Sequence, residues 1–348
     1  MGDFNISALL KEAKDRKWDD RTLAQRAADL AQNLHAESIR KLTSDERTLL
    51  SALSRLVAEE KNRDFLSKLC DSVLHGSSEE HQCNNLRKLL SEFGGVPTFF
   101  GTMARLRFKA ASIASRGMQG AALNEVRRIF RTTFGELTLP TQMDKVDKRV
   151  RDFGKDKLTL ALAPLSPTVF GHKSAERYRR NLEAIQSRQT GVGLCIQPWR
   201  LCPGLNLYAP NAGAKELATK LRELIRLSMS GGLSTPIIVE TGTSDLLPVV
   251  VEGFKQAMHG SEFHKANVII ELPAYLNKAP AILRELTEWA TARAAKGAAP
   301  TKILIVKGSH LDAERERAFT YGSENAAAAT KAQTDTRFKQ LVHTAISA

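Results

Sequence analysis

The chain has no run of about 18 apolar residues, the length a helix needs to cross a bilayer, so no membrane span is expected. Its start, Met1 to Arg21, mixes acids and bases evenly. It lacks the charged, apolar and small-residue zones of a secretory signal, and the even mixture also argues against a cleaved transit peptide. Cysteine is scarce, with four among 348 residues, at 70, 83, 195 and 202, and no CxxC pair. A chain of this size needs no disulfide for stability, so a reducing, intracellular setting is expected, either a bacterial cytoplasm or a mitochondrial matrix. Cys70, His75, His81 and Cys83 are close enough in sequence for zinc, but their spacing follows no common finger. The segment SVLHGSSEEHQC reads as a polar interhelical loop, and no metal is expected. No Ser–His–Asp or paired-carboxylate arrangement can be argued from spacing. The DFG at 152–154 stands without a kinase glycine loop or catalytic-loop motif.

What is abundant is positive charge. Lysine and arginine number 51 against 38 acids, an excess of 13, and the pI is near 9.7. Such an excess suits a polyanionic neighbour such as RNA, or simply solubility. The densest patch runs from Arg105 to Arg131 (ARLRFKAASIASR, then EVRRIFR). No aromatic-interleaved RNA-binding signature accompanies it, so a solvated or protein-facing helix surface is the preferred reading.

Two textures divide the chain. Residues 1–155 read as a helical region without strands. Thr43 to Glu46 fits a capping box, and Leu49, Leu50, Leu53, Leu56 and Val57 then recur on one helical face. Further helices are expected at 63–74, 84–92, 102–115 and 121–134, separated by GSSEEH, GGVP and the Gly117–Gly120 stretch. Residues 156–348 alternate short β-rich runs with long amphipathic helices. The runs are LTLALA (158–163), VGLCIQ (192–197), PIIVE (236–240), VIIEL (268–272) and KILIV (302–306). Each is apolar on both faces, as parallel strands covered on both sides require. The intervening helices are expected near 174–187, 212–230, 245–259, 279–296 and 312–322. That alternation specifies an α/β fold with a parallel sheet and crossover helices. No G-x-G-x-x-G follows any of these strands, so a dinucleotide-type sheet is set aside in favour of an incomplete (βα)8 TIM-type barrel of about five to six units. In such barrels functional groups sit at the C-terminal strand ends, which directs attention to Gln197, Glu240, Pro273 and the Lys307–His310 stretch.

The segment VIIELPAYLNKAPAILRELTEWA, followed by ILIVKGSHLDAERERA, resembles the fourth and fifth strand–helix units of the proline dehydrogenase barrel. That family writes the two strand ends approximately as Q-A-Y-x-K-R-A-P and R-L-V-K-G-A-Y-W-D-x-E. Other pieces agree in order. HKSAERYRRNLEAI resembles the helix after the first strand, VGLCIQPWRL the second strand, IIVETGTSDLLPVVVEGF the third unit and TKAQTDTRFKQLVHTAI the sixth. The helical half, notably ALNEVRRIFRTTFGELTLPTQMDK, is similar to the region preceding the barrel in long bacterial proline-utilisation proteins.

The resemblance implies FAD as cofactor and proline as the hydride donor, with a cationic clamp for the substrate carboxylate. It also implies a role for each matching position. The second-strand lysine falls on Gln197, the third-strand aspartate on Glu240, the fourth-strand glutamine on Pro273 and the fifth-strand arginine on Leu304. The V-K-G survives as Val306, Lys307 and Gly308, while Ala-Tyr-Trp becomes Ser309, His310 and Leu311; Asp312 and Glu314 keep the helix-start carboxylates. Lys331, Thr334 and Asp335 match the sixth unit, with Ala329 at an expected threonine. The tyrosine and paired arginines of the eighth helix would lie beyond Ala348. By resemblance, therefore, Val306, Lys307, Gly308, His310 and Lys331 are the candidate cofactor contacts, and Glu240 is the one candidate catalytic group.

Two functions stand open. One is a catalytically degenerate proline-dehydrogenase-like subunit without cofactor, held by a stable protein partner over the open barrel edge, in a multiprotein or RNA-containing assembly. The other is an FAD-dependent proline dehydrogenase, forming pyrroline-5-carboxylate, whose last barrel units come from a partner chain. An uncovered sheet edge and apolar interior call for a partner in either case.

Overall fold

The computed structural model describes residues 19–347 apart from 136, 140–142, 156, 165–168, 170, 188–191, 206–207 and 231–234. Two compact units divide the chain, Met1–Leu139 and Pro140–Ala348.

In the first unit the described elements are helices at Asp20–Lys41, Ser44–Ala58, Glu60–Lys68, Glu79–Glu92, Thr102–Ala114 and Gln119–Phe134, with a π-helical turn at Leu69–Leu74 continuing the third. The Thr43 capping box forms as the sequence dictates: the threonine hydroxyl accepts from the Glu46 amide while the glutamate carboxylate accepts from the Thr43 amide at 2.7 Å. The interhelical loop expected over residues 72–83 is shorter than that. Ser78 caps a helix starting at Glu79 by accepting from the His81 amide, so His81 and Cys83 are helical and only residues 75–78 connect. Cys83 is buried with its thiol toward the Gln119 carbonyl, and the His75 ring contacts the Cys70 carbonyl at 2.7 Å. Among the described residues no group of three His, Cys, Asp or Glu side chains could hold a metal ion. Phenylalanines set the core: Phe65 packs edge-on to Phe93, Phe99 and Phe100, and Phe100 reaches Phe108 and Phe134. The GGVPTFF connection, read in sequence only as a helix breaker, thus delivers Val96, Phe99 and Phe100 into the interior. Each buried ring contributes roughly 2–3 kcal/mol by area, more with edge-to-face geometry.

The second unit carries five parallel strands, β1 (Ala161–Leu162), β2 (Gly193–Ile196), β3 (Ile237–Val239), β4 (Val268–Pro273) and β5 (Lys302–Val306), in the order β1-β2-β3-β4-β5. Neighbours in sequence are neighbours in space, so the sheet is singly wound, as in a barrel, and does not reverse as in a dinucleotide-binding sheet. The expected strand over 158–163 contracts to Ala161–Leu162, paired with Gly193 and Leu194. Helices at Gly171–Gln186, Pro210–Met229, Leu247–Ala257, Ala279–Ala294 and Leu311–Tyr321 follow the strands, and a final helix spans Lys331–Ser347. No sixth parallel strand forms among the described residues; instead Ala327 makes an antiparallel bridge to Leu276, beyond the end of β4. Among the described residues no helix is long and apolar enough to cross a membrane.

Strand alternation sorts the side chains. Leu194, Ile196, Ile237, Val239, Val268, Ile270 and Leu272 face the helices and form one core with Leu217, Leu221, Val250, Phe254 and Leu283. Gly253 permits a close approach of two of these helices: a Cβ there would meet the Leu217 side chain at 2.9 Å and the Ala214 carbonyl at 3.1 Å. The opposite residues of each strand line an inner face, and that face carries the polar groups.

Candidate functional site on the inner face

Register brings four residues from four strands into one row. Ile196 pairs with Val239, Val239 with Ile270, and Glu271 with Leu304. One step further along each strand, Gln197, Glu240, Glu271 and Leu304 follow one another across the inner face. Within the row, the Gln197 side-chain amide donates to the Glu240 carboxylate at 2.9 Å. The Gln197 backbone amide is held by the Tyr178 hydroxyl at 3.1 Å, which fixes the end of β2.

The sequence placed no second carboxylate beside Glu240. The fold supplies one in Glu271, the only charged residue in the VIIEL run, and that isolated charge was the available signal. Glu271 is buried, and burial pushes its carboxyl up to about 7; a hydrogen bond from the Ser309 hydroxyl at 3.0 Å opposes the rise and the charge of Glu240 adds to it. The Cys195 thiol, on the same face, is pushed up to about 11 by burial first and by both glutamates second. The thiol is therefore held in its protonated, less reactive form. Tyr275 is fully buried; its hydroxyl accepts from the His310 amide at 3.3 Å, and burial lifts its pKa to about 12.

The expected site residues fall into three groups. Glu240 belongs to the row just described. His310 stands edge-on to Trp199, with ring centroids 5.4 Å apart, which joins the loop after β2 to the loop after β5 above the row. Its Nε2 is buried without a hydrogen-bond partner. Lys307 and Lys331 form the third group: both ammonium groups bind the Asp335 carboxylate, Lys307 at 2.8 Å, and Lys307 also lies over the Phe338 ring at 5.0 Å. These two hydrogen bonds hold the Asp335 carboxyl down to about 2. Val306 closes the end of β5 opposite Pro273, its carbonyl accepting from the Ala274 amide at 2.7 Å, and Gly308 is exposed with open space where a side chain would stand.

Gly242, just after β3, has φ +71°, and a Cβ there would approach the Trp199 ring to 2.8 Å. Gly242→Ala is expected to cost about 2 kcal/mol through backbone strain and overlap, read as a lowered urea midpoint at unchanged slope.

The family model for proline dehydrogenase matches residues 146–348, more than half of the chain. The chain belongs to the proline dehydrogenase family. Solved structures agree with that assignment. Proline utilization A from Corynebacterium freiburgense matches with a TM-score of 0.58 and 25% identity, over 63% of this chain and 23% of that one. Proline utilization A from Bdellovibrio bacteriovorus, inactivated by N-propargylglycine, matches with a TM-score of 0.62 and 17% identity, over 85% of this chain and 30% of that one. A Bradyrhizobium japonicum variant of the same protein gives 0.52 and 17%, over 85% and 31%. The chain thus spans less than a third of the length of these proteins, and at 17% the likeness is one of fold. No curated protein matches the chain. Members of this family normally use FAD; the resemblance places lysine, aspartate and arginine at the positions that Gln197, Glu240 and Leu304 occupy in this chain.

Proposed function

We propose that this proline dehydrogenase family member does not oxidise proline and serves as a structural, interaction-bearing subunit of a larger assembly. The row Gln197–Glu240–Glu271–Leu304 carries the reading. A flavin that accepts a hydride gains negative charge, and a site for it needs a fixed cation or donors aimed at that charge. Here the row offers two carboxyl groups, an amide already donating to one of them, and an aliphatic side chain. The lysine of the V-K-G, Lys307, is bound by Asp335. The residues present supply no fixed cation for a flavin undergoing reduction, and neither the Glu240 carboxylate nor the buried Glu271 carboxyl offers the cationic clamp that an amino-acid carboxylate needs.

What supports an interaction role is retention of the helix-facing core beside loss of the polar site. Leu304 is 39% exposed on β5, an edge strand of the described sheet, so an apolar side chain stands at the surface of the inner face. A stable protein partner packed on that face is the proposed cover. The basic excess suits an assembly with a polyanionic component.

The test is a visible spectrum of the full chain purified with its associated proteins. A colourless sample without proline-dependent dye reduction is expected. Flavin bands near one per chain, or dye reduction on adding proline, would instead establish the enzyme reading, in which the kept Val306, Lys307 and Gly308 serve the cofactor.

A further inference from the structure

The helix at Thr102–Ala114 is apolar on two opposite faces. One face is ordinary: Phe108 and Ala111 are buried in the phenylalanine core, with Ala104 and Ala114 packed against it. On the other, Met103, Leu106 and Ile113 are 68%, 60% and 72% exposed, with Ala110, also exposed, between them. At 100° per residue these four positions fall within an arc of about 80°, a continuous stripe along the helix. Met118, 64% exposed, stands just past its end. A helix apolar on both sides is the pattern of a buried helix. The second face therefore awaits a cover.

The flanking charge selects the cover. Lys109 and Arg116 border the stripe along one side; both are exposed, and neither has an acidic partner among the described residues. The helix contains no acidic residue. Arg107, on the other side, and Arg128 are engaged by Glu125, and Arg127 by Asn124 and Gln82, so much of the basic patch is internally satisfied. A second copy of the same face would set Lys109 and Arg116 against like charges. Nucleic acid would leave the aliphatic stripe uncovered. A bilayer surface would be met here without the Trp or Tyr that seat such helices at a headgroup boundary. We propose that this stripe is the docking site for an acidic amphipathic helix of a separate protein chain. Apolar residues spaced three and four apart fill the shallow notch at Ala110, and carboxylates pair with Lys109 and Arg116. The surface lies in the helical unit and does not depend on how the inner face of the sheet is read.

The experiment places a photo-crosslinking phenylalanine analogue at Leu106 or at Ile113 of the full chain in its source cells, with exposed Glu80 as control position. Both positions are expected to crosslink to one segment of one other protein, with net negative charge and apolar residues at helical spacing. Reversing the border with Lys109→Glu and Arg116→Glu, two exposed positions that leave the fold intact, should lower the yield at least fivefold. Crosslinks to RNA, to lipid, to a second copy, to another part of the same chain or to a neutral or basic segment would overturn the proposal. So would a yield no higher than at Glu80, or one unchanged by the charge reversal.

Discussion

Glu271→Gln is expected to stabilise the protein at pH 8 and to leave it nearly unchanged at pH 5. In the folded chain the Glu271 carboxyl holds its proton up to about pH 7, against 4.5 for an ordinary glutamate, and burial is the main cause. Between those two values the folded state binds more protons than the unfolded state, so stability falls as pH rises across the window and the full cost is present above pH 7. A shift of this size is worth on the order of 3 kcal/mol, an upper value because neighbouring groups relax. Glutamine cannot ionise, and its carbonyl oxygen still accepts the Ser309 hydroxyl. The substitution should therefore gain about 1–3 kcal/mol at pH 8, measured as an increased urea midpoint. Ser309→Ala, which removes the one hydrogen bond favouring the charged form, should steepen the loss of the unsubstituted chain between pH 5 and 7. Asp335 and Glu176, each held near 2 by cationic partners, act in the opposite sense: their contribution is present above the ordinary carboxylate range and is lost as pH falls below it. They leave the window above pH 5 to Glu271. Equal pH slopes for the glutamine variant and the unsubstituted chain would show that the carboxylate is solvated and the row open to water.

The sequence made the sheet legible because parallel strands covered on both sides must be apolar throughout, and crossover helices must be amphipathic and long. Those are local requirements. Glu240 is legible by the same logic, since a charge ending an apolar run marks the C-terminal end of a strand. Its pairing with Gln197 and its nearness to Glu271 depend on register, which no local pattern states, and Glu271 reads in sequence as one more residue of a strand. The short β1 is a tertiary outcome of the same kind: LTLALA has strand composition, yet only the two residues that meet Gly193 and Leu194 are paired. Lys307 shows the limit of motif reasoning. The V-K-G is kept, but the ammonium is directed by Asp335, 28 residues away, and that pairing was not readable from either segment alone. In the helical unit the cap at Thr43 was readable because it spans three residues. The phenylalanine cluster was not, because its members come from four segments spread over Phe65–Phe134.

Glu314→Ala is expected to cost about 2–4 kcal/mol, whereas Asp312→Ala, two residues earlier, should change stability by less than about 0.5 kcal/mol. In sequence the two are equivalent, both carboxylates in the first turn of a helix where the dipole favours negative charge. Their surroundings separate them. The Asp312 side chain is 86% exposed, with Arg315 as a loose partner at 3.7 Å, an arrangement that contributes little in water. Glu314 is buried and reaches across 70 residues to the loop after β3, accepting from the Ser244 amide and, at 2.7 Å, from its hydroxyl. Asp245 on the same loop is paired with Arg317 from the same helix. Truncating Glu314 leaves an amide and a hydroxyl at Ser244 without their acceptor, and the expected cost follows from that desolvation. Because this loop also contains Gly242, against which Trp199 packs beside His310, the same variant should loosen the Trp199–His310 contact above the Glu240–Glu271 row, seen as a change in tryptophan fluorescence before global unfolding. Comparable losses for Asp312→Ala and Glu314→Ala would assign the effect to the helix dipole; a loss confined to Glu314 assigns it to the tie between the loop after β3 and the helix after β5, which holds the upper rim of the inner face in place.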